Sequence, residues 1–104
     1  MRRHAFVMYL KPGMAAEYRR RHAAIWPELV QEHLERGIRD YSIFLDEESN
    51  TLFAFRKLTN DETTFSMSED EIVKRWWAYN TDLMNCNADN SPVVRNLHEI
   101  FHMD

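Results

Sequence analysis

One cysteine, two glycines and three prolines in 104 residues set the first limits on this chain. A lone Cys86 excludes an internal disulfide. Flanked by Asn85, Asn87 and Asp89, with no second Cys and no His beside it, it also offers no metal or nucleophile pattern. So few Gly and Pro leave little room for linkers, and a single ordered domain over residues 1–104 is expected. There is no apolar run of about 18 residues and no apolar signal core at the N-terminus, which makes the cytoplasm the expected compartment. Basic residues are the minority: 13 against 17 acidic, a formal net charge of −4, which disfavours nucleic acid as a partner. The one basic run, Arg19-Arg20-Arg21, would spread around a helix axis and reads as solvated surface.

What is present divides cleanly into elements. Arg3 to Leu10 is a short apolar run ending at the turn signal Lys11-Pro12-Gly13, and predicts a buried strand. Met14 to Arg36 is helical in pattern, with Gly37 placed as its C-terminal cap and Pro27 predicting a kink or split near Trp26. Ile38–Leu45 and Leu52–Leu58 read as two strands of a hairpin joined by Asp46-Glu47-Glu48-Ser49-Asn50. Ser68 with Glu71 resembles a capping box before a second amphipathic helix marked by Ile72, Val73, Trp76, Tyr79, Leu83 and Met84. Asn85 to Pro92 is a polar loop, and Val93–Met103 is expected to be a last strand.

The order β-α-β-β-α-β predicts an α+β, ferredoxin-like fold, an antiparallel four-stranded sheet with its helices on one face. The first three strands carry large apolar residues on both faces. The bare face therefore calls for a second copy of the sheet, and a homodimer is expected.

Several side chains could carry chemistry. On a helix, Tyr18, His22 and Trp26 fall at i, i+4 and i+8, which sets a titratable imidazole between a phenol and an indole, company that suits a small sugar-like ligand. Trp76 and Trp77 point about 100° apart on a helix, so one core direction cannot absorb both, and one is free to form a pocket wall. Tyr41 offers a hydroxyl that needs a partner if buried. His4 and His33 read as structural or solvent-facing. His98-Glu99-Ile100-Phe101-His102 matches H-E-x-x-H, a zinc signature that requires a helix; on a strand the two imidazoles would stand about 13 Å apart at roughly 3.3 Å per residue. The strand reading leaves no metal site.

Three segments together identify a resemblance that covers nearly the whole chain. Arg21-His22 followed by Ile25-Trp26-Pro27-Glu28-Leu29, then Tyr41-Ser42-Ile43-Phe44-Leu45-Asp46, then Arg75-Trp76-Trp77 with Asn87-Ala88-Asp89-Asn90-Ser91-Pro92, resemble the L-rhamnose mutarotase family. The resemblance implies a cytoplasmic homodimer forming a dimeric α/β barrel, which interconverts the α and β anomers of L-rhamnose without metal or cofactor. Carried over position by position, it implies His22 as the proton donor and Tyr18, Tyr41, Trp76 and Trp77 as sugar-binding residues. Two other readings fit the same elements: a small-molecule-binding dimer that turns nothing over, and a cofactor-independent monooxygenase of the dimeric barrel type.

Overall fold

The computed structural model describes residues 1–59 and 67–104. Strand β1 (Arg2–Tyr9) leads through the Gly13 turn into helix α1 (Ala15–Ala23) and helix α2 (Pro27–Glu35); strands β2 (Ile38–Asp46) and β3 (Thr51–Leu58) follow, then helix α3 (Glu71–Tyr79) and strand β4 (Arg95–Asn96). The four strands make one antiparallel sheet in the order β2-β3-β1-β4, the ferredoxin-like arrangement expected.

Local chemistry explains most boundaries. The long helical pattern is split, as expected: Trp26 is extended (φ −65°, ψ 127°), and Pro27 starts α2, where its missing N–H costs no helical bond. Gly37 ends α2 with φ +86°, its N–H donating to the Leu34 carbonyl at 3.1 Å.

Helix α3 corrects the capping expectation. Its N-cap is Asp70, whose carboxylate accepts from the Val73 N–H at 3.0 Å. Ser68 falls in a short 3-10 turn, Met67–Glu69, before the cap position. The helix also stops sooner than its apolar pattern predicts. Asn80 folds its amide onto the Trp76 carbonyl at 3.0 Å, offering the backbone an alternative to another helical turn. Leu83 and Met84 are core residues outside the helix.

The last strand is a further correction. Only Arg95–Asn96 pair with β1, the Leu97 N–H reaches the Ala5 carbonyl at 2.9 Å, and the remainder to Asp104 is neither strand nor helix. Toward its end the apolar side chains are open to solvent among the described residues, with Ile100 96% and Phe101 78% exposed. His98 and His102 therefore do not share the helix face that a zinc signature requires.

One face of the sheet packs under the helices. Phe6, Met8, Leu52 and Ala54 meet Tyr18 of α1 together with Leu83 and Met84. A second cluster joins Leu29 of α2, Ile38, Leu58, Met67 and Val73 of α3. The other face presents Phe44 beside its cross-strand neighbour Phe53, 66% and 42% exposed. Among the described residues, no helix is long and apolar enough to cross a membrane.

A one-residue irregularity positions the site. Between Arg39 and Ser42 the register of β2 slips against β3, so that Asp40 and Tyr41 together lie opposite the stretch between Lys57 and Phe55, and Asp40 takes φ +48°. Bulges re-aim side chains in this way. Here the result is that Tyr41 stands over Arg56, its ring centre 5.5 Å from the guanidinium carbon.

Candidate active site

Between the helices and the sheet lie two adjoining cavities of about 1240 and 430 Å³, with Tyr18, His22, His33, Tyr41 and Trp76 among their shared walls. The smaller is of a size that suits a small ligand. Its rim on one side is the 85–92 loop, through Cys86, Asn87 and Asp89 to Pro92.

Helix α1 delivers two of the walls. Tyr18 and His22 are one turn apart, their ring centres 4.2 Å apart, and His22 Nδ1 donates to the Tyr18 carbonyl at 2.9 Å. A carbonyl can only accept, so the proton sits on Nδ1 and Nε2 of the neutral ring is left as an acceptor. Burial lowers the His22 pKa from its ordinary 6.5, and the bond to the carbonyl only partly offsets this. At neutral pH the imidazole is therefore a base.

The indole beside His22 is Trp76, not Trp26. The rings of His22 and Trp76 meet edge-on at 5.3 Å. Trp26 was expected on the His22 face, but the break before Pro27 carries it out of the helix, and it lines neither cavity. It supports Trp76 from behind, edge-on at 5.1 Å, and stacks on Tyr79.

Arg21 likewise departs from the solvated surface expected of the basic run. Its side chain is nearly buried: it donates to Glu17 at 2.8 Å and to both Asp82 oxygens at 3.0 Å, and lies over the Tyr79 ring. This clamp ties α1 to the end of α3, so His22 and Trp76 keep their distance. Arg19 and Arg20 remain exposed.

Helix α2 repeats the device used for His22. His33 Nδ1 donates to the Leu29 carbonyl at 2.8 Å, and its ring lies 5.9 Å from that of Tyr41. Burial lowers its pKa, and the Arg56 charge adds to the effect. Burial also raises the pKa values of the Tyr18 and Tyr41 phenols, although Arg56 opposes it at Tyr41. At neutral pH the cleft thus offers protonated phenols and neutral imidazoles.

A family model described as L-rhamnose mutarotase matches residues 3–103, almost the whole chain. The chain belongs to the L-rhamnose mutarotase family. A Bacteroides thetaiotaomicron protein named L-rhamnose mutarotase is 53% identical over 104 residues, covering all of both chains. The crystal structure of L-rhamnose mutarotase from Formosa agariphila superposes with a TM-score of 0.93 at 46% identity, again over the full length of both. A Mycobacterium tuberculosis structure at 13% identity shares the fold, with a TM-score of 0.62 over 98% of this chain and 97% of its own.

The five positions singled out by the family resemblance, Tyr18, His22, Tyr41, Trp76 and Trp77, all line the smaller cavity. His4 and His33, read from the sequence as structural or solvent-facing, line it too, as does Arg56, which the sequence reading passed over. Arg56 did leave a signal. Leu52, Ala54, Arg56 and Leu58 alternate onto one face of β3, and a charge within an otherwise apolar face is a polar residue at a core position.

The same imidazoles make stability depend on acid. His4, His22 and His33 each have a pKa lowered chiefly by burial. Below about pH 6.5 the unfolded chain binds protons that the folded chain resists, so stability is fully present above that pH and falls as the pH drops through the folded-state values. Thermal melts from pH 8 to pH 5 are expected to show a falling Tm below about 6.5. A flat profile there would mean that these imidazoles are not held neutral.

Proposed function

We propose that this chain interconverts the α and β anomers of L-rhamnopyranose by ring opening and closing. His22 is the acid/base group, and Tyr18, Tyr41, Trp76 and Trp77 bind the sugar. The observation that carries this reading is the His22 imidazole, held by the Tyr18 carbonyl so that Nε2 is left as an acceptor, in a ring that lines the cleft among two phenols and an indole.

Opening a pyranose ring removes the proton of the anomeric hydroxyl and delivers one to the ring oxygen. Neutral Nε2 of His22 accepts a proton, and the imidazolium formed is then the donor for the complementary step, so one side chain serves as base and acid in turn. Rotation of the aldehyde about C1–C2 and closure on its other face complete the exchange. The phenols hold hydroxyl groups, and the indoles cover the C–H and methyl surface of a 6-deoxy sugar. Proton transfer and positioning are sufficient, so no metal or cofactor is needed.

The test is saturation-difference NMR: the α H1 signal of L-rhamnose is irradiated at equilibrium and the β H1 signal observed. Protein-dependent loss of the β signal is expected. Binding of the sugar without transfer would leave a non-catalytic receptor instead.

The working unit we propose is a cytoplasmic homodimer of this single domain, with no nucleic-acid or membrane partner. Phe44 and Phe53 on the open sheet face, with Ile100, Phe101 and Met103 of the C-terminal tail, form apolar surface that a second copy would cover. Sedimentation is expected to give twice the 12.5 kDa chain mass, and Phe44→Asp to shift it toward the monomer. A monomeric parent protein at micromolar concentration would overturn this assembly.

A further inference from the structure

We infer that Arg56 is a further ligand-binding residue of the cleft, its guanidinium fork donating to two adjacent oxygens of the bound sugar beside Tyr41. The inference rests on the mutarotase reading of the cleft and adds to it a specificity-determining cation.

Arg56 is only 8% exposed, at a core-facing position of β3 opposite the β2 bulge. A guanidinium does not shed its proton, so the charge persists in this buried setting. Buried cations are ordinarily paired. Among the described residues, however, Arg56 has no carboxylate partner; it is held instead by neutral groups. Its Nε donates to His4 Nδ1 at 3.1 Å, and the opposite edge of that ring, Nε2, donates to Asn96 Oδ1 at 3.0 Å. The guanidinium carbon lies 4.9 Å from the Phe6 ring centre and 5.5 Å from that of Tyr41.

These contacts aim the fork and leave its outer nitrogens unspent. No acceptor for Nη1 or Nη2 is found among the described residues, and no buried side-chain nitrogen or oxygen there lacks a partner. The two outer nitrogens therefore reach the open space of the cavity that Arg56 lines with Tyr18, His22 and Tyr41.

A charged, planar pair of donors held rigidly in a cleft fits two adjacent oxygens. Neighbouring hydroxyl groups of a pyranose supply such a pair, and so does the carboxylate of a hexuronic acid.

The experiment compares Arg56→Met and Arg56→Lys with the parent protein in the anomer-exchange assay, over a range of L-rhamnose concentrations and with galacturonate as competitor. For Arg56→Met, KM is expected to rise about 10- to 100-fold, with a smaller change in kcat, as fits the loss of hydrogen bonds from a charged donor. Arg56→Lys keeps the charge without the fork and is also expected to raise KM. The Tm of Arg56→Met is expected to hold or rise, because a buried charge without a counter-ion has been removed. Galacturonate competing with the parent protein but not with Arg56→Met assigns a carboxylate to the fork as well. Its failure to compete while KM still rises in the variants assigns the hydroxyl pair alone. Parent exchange with KM unchanged in both variants, whether or not Tm falls, overturns the role of Arg56 and leaves the mutarotase reading standing. No exchange in the parent overturns that reading itself.

Discussion

Replacement of His22 by alanine is expected to slow protein-dependent anomer exchange by about 10²- to 10⁴-fold, the range that a positioned general acid/base supplies. The expectation follows from three features of one side chain. The Tyr18 carbonyl fixes its tautomer, the surrounding rings of Tyr18 and Trp76 lower its pKa by burial, and Nε2 is left without an acceptor role in the fold. Because its hydrogen bond among the described residues is to a carbonyl within its own helix, the truncation is expected to leave Tm nearly unchanged. A large drop in exchange with an intact melt therefore separates chemistry from folding. The parent protein should also show a rate that falls in acid, since protonation of His22 removes the base, with the midpoint below 6.5. His22→Ala exchanging at the parent rate would assign the proton transfer elsewhere in the cleft, with His33 the next group to replace.

The second large effect is on stability alone. Leu58→Ala is expected to cost about 2 to 5 kcal/mol and to lower Tm by roughly 10 °C or more. Leu58 is fully buried at the end of β3, packed with Leu29, Ile38, Met67 and Val73 where α2, α3 and the sheet converge. Neither cavity includes it, so the molecules that remain folded should exchange anomers at the parent rate. Denaturant melts and the exchange assay on the same sample check both halves. A loss below about 1 kcal/mol would mean that this junction collapses around the missing atoms rather than keeping a void.

The two predictions bear on different layers of the molecule. The junction around Leu58 packs α2 and α3 against the sheet, while Trp76 of α3 meets the α1 imidazole edge-on. The Arg21 clamp performs the same task at the other end of α3. The geometry of the cleft in so small a domain is thus held by core packing and by the nearly buried Arg21, rather than by a large rigid scaffold.

Much of this was legible beforehand. The first three strands, the Pro27 break and the Gly37 cap depend on neighbours within a few residues, and each was found where the residue types placed it. The pairing of Tyr18 with His22 is equally local, because residues four apart on a helix are neighbours whatever surrounds them. The boundaries that failed did so where distant groups compete. Asn80 ends α3 against its apolar pattern, and the tail pairs with β1 only at Arg95–Asn96, with a single further bond from Leu97 to Ala5.

By itself, then, the sequence determined the kind and order of elements, the family, and the residue types that the cleft would gather. Tertiary structure alone decided which indole meets His22, that His33 and Arg56 join the cleft, and that Arg21 is a clamp rather than surface. The physical reason is one of range. Periodicity records which face of one element is apolar, whereas the bulge at Asp40 and Tyr41 and the packing of three helices on one sheet set which faces meet, and those depend on residues far apart along the chain.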